Sequence, residues 1–223
     1  MRVEVWSDIN CPWCYIGKAR FERALEAFPH REEVEVVHRS FELDPRAPRE
    51  ARPVVPLLAA KYRMSLAEAE AAEARIAENA HGEGLPYLSG GRDAANSFDM
   101  HRLLHFAKEH GRQGQLLDAL YRANFAEERS AFEEGRLVEL AVEAGLDGEA
   151  AAAVLADPDA YAEAVREDET TASAMGATGV PFFVLDRRLG VSGAQPAETF
   201  TRALEQAWES RVTVPLTPLT RQQ

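Results

Sequence analysis

The chain has 223 residues, a length that suits one ordinary domain or a core domain carrying a large insertion. Lys and Arg number 25 against 37 Asp and Glu, and the formal net charge of −12 argues against a nucleic-acid partner, whose binding rests on cationic contacts. Hydrophobic residues make up 46%, enough for a full core, yet no apolar run reaches the roughly 18 residues that span a membrane.

The first forty residues predict a β-α-β unit. Residues 2–6 alternate as in a strand, and an apolar stripe at helical spacing follows over residues 16–28. Pro12 suits the first turn of that helix, where its missing N–H costs nothing. Pro29 ends the helix, and residues 34–41, rich in β-branched side chains, predict a second strand.

The stretch from Asp44 to Ala172 predicts an almost wholly helical block. Ser65 and Glu68 have the spacing of a capping box, and Asn96 is interpreted as a helix N-cap. The predicted helices lie near residues 56–63, 65–80, 96–110, 113–127, 133–145, 148–156 and 158–175.

After this block the chain returns to strands. Residues 181–185 and 189–192 predict a short hairpin, and a last helix starts at Gln195 and runs through Trp208. The tail over residues 212–223 contains prolines and is expected to be irregular.

These elements predict an α/β fold with a thioredoxin-like core. Residues 1–43 and 173–211 form this core around a four-stranded mixed sheet. Residues 44–172 form a large all-helical insertion between the second strand and the strand that begins at Pro181. The insertion is longer than the core that it interrupts, so we expect a helical lid, with a dimer interface as the open alternative.

The only cysteines are Cys11 and Cys14, and a bridge between them closes too small a loop to constrain a fold. No secretory signal pattern follows Met1, so the expected location is the cytoplasm, where a close cysteine pair is more often catalytic or metal-binding than structural. The pair follows a strand and opens a helix, whose partial positive charge stabilises a thiolate. The positions predict that Cys11 attacks a disulfide and that Cys14 resolves the mixed disulfide.

Two structural alternatives to redox chemistry are open. His101 and His105, at i and i+4, could complete a zinc site, but their distance along the chain from the cysteines does not match finger spacing, and no second CxxC motif occurs. The two cysteines could also be incidental core residues. The strand–CxxC–helix context favours the redox interpretation, with no metal and no bound cofactor.

A second signal is Val180-Pro181 at the start of a strand. A proline there can be an edge device, but beside a CxxC motif it predicts a cis-proline that faces the sulfurs. The Val180 backbone would then pair with an extended substrate, as in strand addition.

The sequence resembles the FrnE-type branch of the DsbA oxidoreductase family over about residues 3–208. The resemblance rests on four segments: Ser7-Asp8-x-x-Cys11-Pro12-Trp13-Cys14-Tyr15, Asn96-Ser97-x-x-x-His101-Arg102, Gly179-Val180-Pro181-Phe182-Phe183-Val184 and Gly193-Ala194-Gln195. It implies a thioredoxin fold with a helical insertion and disulfide oxidoreductase or isomerase activity. It also implies that Cys11 is the nucleophile, Cys14 the resolving thiol and Pro181 the cis-proline.

The chain departs from its relatives in two respects. Some relatives carry a further cysteine pair near the C-terminus, and this chain has none, which puts a dependent isomerase role in doubt. The typical DsbA is exported, whereas no secretory signal pattern follows Met1 in this chain. Periplasmic oxidative folding is therefore not part of the expectation.

The expected partners are disulfide-containing proteins or small thiols, with Pro12, Trp13, Val180 and Pro181 as the substrate-binding residues. Kappa-class glutathione transferases and hydroxychromene-carboxylate isomerases resemble the same architecture but have serine at the first cysteine position. A glutathione-dependent transferase or isomerase is therefore the alternative, with glutathione as co-substrate beside Pro181. A non-catalytic binding protein with a vestigial site is a second alternative.

The remaining polar residues near these motifs are weaker candidates. Asp8 could tune a thiol or relay protons, although such a residue more often orders a loop. Asn96 is most simply a helix cap. Ser97, Asp99 and His101 contain the residue types of a catalytic triad, but they lie on one helix, whereas triad partners converge from separate segments.

Overall fold

The computed structural model describes residues 1–90 and 92–211, so the predicted irregular tail at 212–223 lies outside the described residues. The strands in chain order are β1 (Arg2–Ser7), β2 (Glu35–Ser40), β3 (Arg52–Pro53), β4 (Asp93–Ala94), β5 (Phe182–Leu185) and β6 (Leu189–Ser192). The main sheet has the order β2-β1-β5-β6, with β1 and β2 parallel and the other pairs antiparallel. The predicted four-stranded mixed sheet is confirmed.

Helices cover most of the rest of the described chain. They are α1 (Pro12–Glu26), α2 (Val54–Tyr62), α3 (Leu66–Gly82), α4 (Phe98–Glu109), α5 (Gln113–Phe125), α6 (Arg136–Glu143), α7 (Gly148–Ala156), α8 (Ala162–Ala174) and α9 (Ala197–Glu209), with a 3-10 turn at Arg31–Glu33. Within residues 1–90 and 92–211, no helix is long and apolar enough to cross a membrane.

Two helices start later than their predicted bounds because the chain is left-handed just before them. Gly135, with φ 78°, precedes α6, which was predicted to start near residue 133. Tyr161, with φ 58°, precedes α8, which was predicted to start near residue 158. A left-handed residue cannot continue a right-handed helix, so each helix begins immediately after it.

The capping-box prediction is confirmed: the Ser65 side chain accepts from Glu68 N, and the Glu68 side chain accepts from Ser65 N. The prediction of an all-helical insertion needs one correction, because β3 and β4 form a small antiparallel ladder that pairs Arg52 with Ala94. A two-residue strand is too short to show alternation of apolar and polar residues in the sequence, and Pro53 is a residue that strands disfavour. The ladder fixes the two ends of the α2–α3 segment to each other.

Helices cover both faces of the main sheet. On one face, Phe183 of β5 contacts Phe21 of α1 and Phe200 of α9, with ring centroids 5.3 Å and 4.6 Å apart. On the other face, Trp6 of β1 is buried against α8, and its Nε1 donates to the Asp168 carbonyl at 2.8 Å. The strands are therefore sandwiched, as the thioredoxin-like prediction requires.

The largest apolar cluster joins the start of α1 to the insertion. It contains both cysteines together with buried residues of α3, α4, α5, α6 and α7. The insertion thus packs directly on the segment that carries the CxxC motif, while the division of the chain at residue 172 stays a prediction.

Candidate active site

The two cysteines occupy the N-terminus of α1. Cys11 is the N-cap residue with extended backbone (φ −89°, ψ 109°), and Pro12 is the first helical residue. Cys14 lies one turn along, and its N–H donates to the Cys11 carbonyl at 3.0 Å. Both are free thiols, with Cys11 5% exposed and Cys14 1% exposed. Cys11 is the more accessible of the two thiols, as its position at the end of the helix predicts.

The loop before the motif is held by the Asp8 main chain and side chain. The Asp8 carbonyl accepts from Cys11 N at 3.1 Å, and its Oδ1 accepts from Asn10 N at 3.1 Å. This Asx turn converts the end of β1 into the start of α1. It therefore places Cys11 where the unpaired N–H groups of the first helical turn point.

The predicted cis peptide bond is present between Val180 and Pro181. Cys11 Sγ donates to the Val180 carbonyl oxygen at 3.7 Å, a long contact of the kind that sulfur makes. Pro181 is buried, whereas Pro12 and Val180 are half-buried and Trp13 is 40% exposed. The structure thus brings the four residues predicted to bind substrate to the edge of the cysteine pair; their role in binding stays a prediction.

Asp8 lies behind the cysteines and is 1% exposed. Its Oδ2 accepts from Leu43 N at 2.7 Å, and its Oδ1 lies 3.6 Å from His101 Nε2, an ion-pair contact longer than a hydrogen bond. Burial by itself raises the pKa of Asp8, but His101 and the backbone N–H groups of Leu43 and Asn10 outweigh it and hold the pKa below its ordinary value. Asp8 is therefore a buried carboxylate that stays ionised.

The electrostatics favour the neutral form of the Cys14 thiol. Burial raises the pKa of the Cys14 thiol well above its ordinary value, the adjacent Cys11 sulfur adds to the rise, and the Asp8 charge adds more. Burial likewise raises the pKa of Tyr121 well above its ordinary value, with the Cys14 sulfur as the next cause. Tyr121 therefore presents a neutral hydroxyl close to Cys14.

The insertion supplies residues that sequence reasoning did not assign to the site. Tyr121 and Asn124 come from α5, and Asn124 Nδ2 donates to the Ile9 carbonyl at 2.8 Å. Asn10 Nδ2 in turn donates to the Ala95 carbonyl at 2.8 Å. A signal was available, since Tyr121 and Asn124 place polar groups on the apolar face of a helical pattern. The insertion forms the wall behind the cysteines.

The two histidines of the zinc alternative face different carboxylates. His101 lies at Asp8, whereas His105 Nε2 lies 3.2 Å from both Ser40 Oγ and Asp168 Oδ2. Over residues 1–90 and 92–211, no group of three or more His, Cys, Asp and Glu side chains is arranged to hold a metal. The zinc alternative therefore has no support from the geometry.

The other polar candidates have structural contacts. The predicted N-cap at Asn96 is one residue too early, because the Ser97 carbonyl accepts the first helical hydrogen bond of α4, from His101 N at 3.1 Å. Asn96 Oδ1 accepts from Phe98 N at 3.0 Å, and its Nδ2 donates to Glu42 Oε1 at 3.0 Å. The Asp99 carboxylate accepts from Arg102 and Arg49. Asp99 is therefore occupied by guanidinium groups, which leaves no triad on this helix.

Comparison with known proteins gives one family and several similar structures. The profile of the DSBA-like thioredoxin domain matches residues 2–205. A probable DsbA oxidoreductase from Streptomyces coelicolor is 62% identical, with a TM-score of 0.93 over 98% of this chain and 94% of that one.

Two more distant structures share the fold. A 2-hydroxychromene-2-carboxylate isomerase is 15% identical, with a TM-score of 0.72 over 95% of this chain and 98% of that one. The cytosolic disulfide reductase DsbM from Pseudomonas aeruginosa, solved with GSH, is 19% identical, with a TM-score of 0.65 over 94% of this chain and 100% of that one.

Proposed function

The chain belongs to the DsbA-like thioredoxin domain family, and on this premise we propose that it is a thiol–disulfide oxidoreductase that uses Cys11 and Cys14 on protein or small-molecule disulfides. One observation carries the proposal. Cys11 occupies the N-cap position of α1, and its sulfur lies 3.7 Å from the carbonyl oxygen of Val180, so a nucleophile and a backbone acceptor face the same space. An extended substrate can offer its disulfide to the first and its main-chain N–H to the second.

The proposed reaction has two exchange steps. The Cys11 thiolate attacks one sulfur of the substrate disulfide, that S–S bond breaks, and the departing substrate thiolate takes up a proton. Cys14 then loses its proton as it attacks Cys11 Sγ, which breaks the mixed disulfide and releases the second substrate thiol. The substrate gains two electrons and the Cys11–Cys14 pair becomes a disulfide. A small thiol such as glutathione would return the pair to the dithiol.

Cys14 is suited to the second step. Its buried, neutral thiol does not compete with Cys11 for the incoming disulfide, because the thiolate is the nucleophilic form. It nevertheless lies one turn from Cys11 in the same helix, so the mixed disulfide forms within its reach. The order of attack then follows from the greater accessibility of Cys11 and from the neutral form of the buried Cys14 thiol.

Single-cysteine variants test the assignment. We expect Cys11→Ser to abolish turnover of a disulfide substrate, such as insulin, with glutathione as reductant. We expect Cys14→Ser to accumulate a mixed disulfide with substrate, visible as an added mass that a reductant removes. Full activity in Cys11→Ser would overturn the proposal, and so would a Cys14→Ser variant that forms no adduct.

The direction of electron flow requires the reduction potential of the Cys11–Cys14 couple. Equilibration in glutathione buffers of known composition gives it. A value near the cytosolic poise supports a reductase or exchange role, and a far more oxidising value supports a disulfide donor. We propose a cytoplasmic location and a small-thiol reductant; the cytosolic reductase solved with GSH supports both by likeness of fold.

The alternative is a glutathione-dependent isomerase or transferase of the hydroxychromene-carboxylate or kappa type. The fold shared with the isomerase supports it, and the cysteine at position 11 weighs against it. A thermal-shift titration without any glutathione-dependent stabilisation would count against that alternative. The second alternative, a non-catalytic binding protein with a vestigial site, would show no Cys11-dependent turnover.

A further inference from the structure

Gly17 lies on α1 one turn beyond Cys14, at the place where this helix touches the Pro181 loop. It is buried, and a Cβ atom at this position would lie 2.9 Å from Pro181 Cγ and 3.3 Å from both Cα and Cβ of Ala194. Carbon atoms in contact prefer a separation of about 3.5–4.0 Å. Any side chain at position 17 would therefore force the helix and the loop apart.

The neighbours of Gly17 have little freedom to give way. The Pro181 carbonyl accepts from Gly193 N at 2.8 Å, so the segment that carries Ala194 is tied to the Pro181 loop. Arg20, one turn further along α1, donates through Nη1 to the Ala194 carbonyl at 2.6 Å. The loop and segment 193–195 are thus held against the helix face that Gly17 leaves bare.

Arg20 also ties this face to the insertion. Its Nε donates to Glu83 Oε1 at 2.7 Å, just after the end of α3, and Arg23 forms an ion pair with the same carboxylate. Of these two arginines, Arg20 is the one whose guanidinium reaches Ala194. The helix, the loop segment and the insertion therefore share one contact point beside Gly17.

We propose that Gly17 is a positioning residue for disulfide exchange. Because Gly17 has no side chain, Pro181 can approach α1 closely. This close approach sets the position of the Val180 carbonyl relative to Cys11 Sγ. This inference rests on the proposed function. The Val180 carbonyl is the acceptor that an extended polypeptide would pair with, whereas a small disulfide needs only access to the Cys11 sulfur. Displacing Pro181 should therefore slow exchange with polypeptide disulfides more than exchange with small disulfides.

The test compares Gly17→Ala with Gly114→Ala on two substrates, a disulfide-bonded peptide and bis(2-hydroxyethyl) disulfide. Gly114 is also helical but has no atom within 4 Å of an added Cβ, so it controls for the mutation itself. For Gly17→Ala we expect kcat/KM to fall at least about tenfold on the peptide and less than about threefold on the small disulfide, because misplaced binding groups cost rate steeply. We expect Gly114→Ala to match the wild type on both.

The outcomes separate three cases. Equal loss on both substrates, or no loss on the peptide, overturns the positioning role. A wild-type protein inactive on both substrates would contradict the proposed function itself.

If Gly17→Ala does not fold, Arg20→Met with Arg23→Met as its control replaces it. Loss of the Arg20 hydrogen bond releases Ala194 without adding an atom to the helix face. The same selective loss is expected for Arg20→Met alone, and equal behaviour of the two arginine variants overturns the inference.

Discussion

Asp8 and His101 meet in the buried wall behind the cysteines, with His101 Nε2 3.6 Å from Asp8 Oδ1. Asp8 comes from the loop after β1 and His101 from α4 in the insertion, so the contact joins the core to the inserted helices next to Cys14. Its chemical consequence concerns the Cys14 thiol, because the Asp8 charge is one of the causes that raise the pKa of Cys14.

Asp8→Asn should lower the pKa of Cys14. The substitution removes the negative charge that raises the pKa of Cys14. It keeps the backbone of residue 8, whose hydrogen bond with the Cys14 thiol lowers that pKa. Titration of the thiolate absorbance in a Cys11→Ser background isolates Cys14. The pKa should remain above the ordinary value, since burial is the largest cause.

Asp168→Asn is the matched control for this experiment. Asp168 is also a buried carboxylate whose pKa lies below its ordinary value, but its partners are His105 of α4 and Ser40 and Arg39 of β2. It should leave the Cys14 titration unchanged. An Asp8→Asn protein with the wild-type thiol titration would show that the carboxylate does not act on Cys14.

The same carboxylates predict acid sensitivity. The ordinary aspartate pKa of 3.8 is lowered in the folded state for Asp8 and Asp168, although burial, the largest cause for each, acts to raise it. A group with a lowered folded pKa contributes stability above its unfolded pKa and loses it as pH falls through the folded pKa. The free energy of unfolding, measured in urea, should therefore decrease as the pH is lowered below about 4. This decrease should be less steep for Asp8→Asn than for the wild type. Equal slopes for the two proteins would contradict the assignment.

The parts of this site that could be predicted from sequence are those set by neighbours along the chain. The CxxC motif at a helix start and the capping box at Ser65 each depend on four consecutive residues. The cis bond before Pro181 followed from the presence of the motif and not from local preference alone.

The wall behind the cysteines could not be predicted in this way. His101 and His105 have the spacing of one helical turn, yet one faces Asp8 and the other Asp168. That division depends on how α4 is wedged between the loop after β1 and α8, and no spacing in the sequence encodes it. The fit of Gly17 against Pro181 likewise depends on two segments that are distant along the chain.

His38 predicts a second pH dependence at milder acidity. Burial, followed by the charge of Lys18, lowers the pKa of His38 from 6.5 to about 4, with Asp118 acting in the opposite direction. Stability from this group is complete above pH 6.5 and is lost as pH falls toward 4, because only the unfolded chain takes up the proton in that window. The free energy of unfolding should fall between pH 7 and 5 by about 1–2 kcal/mol.

His38→Gln should flatten this part of the profile, because it removes the imidazole that takes up the proton. Urea unfolding at several pH values between 7 and 4 supplies the measurement. If the steepness between pH 7 and 5 survives in His38→Gln, the half-buried His38 imidazole is not its source.

Tyr121→Phe should change the free energy of unfolding by less than about 1 kcal/mol, because the buried Tyr121 hydroxyl makes no hydrogen bond of ordinary geometry in the described chain, although the Ser7 side chain acts to lower its pKa. Removing an unpaired buried hydroxyl also removes its desolvation cost. Tyr87→Phe is the matched comparison, since Tyr87 donates to the buried Glu73 Oε2 at 3.0 Å, and its loss should cost about 1–3 kcal/mol. Urea unfolding of both variants tests the difference. If Tyr121→Phe costs as much as Tyr87→Phe, the Tyr121 hydroxyl has a partner in solution, and the Ser7 side chain or a buried water becomes the group to identify.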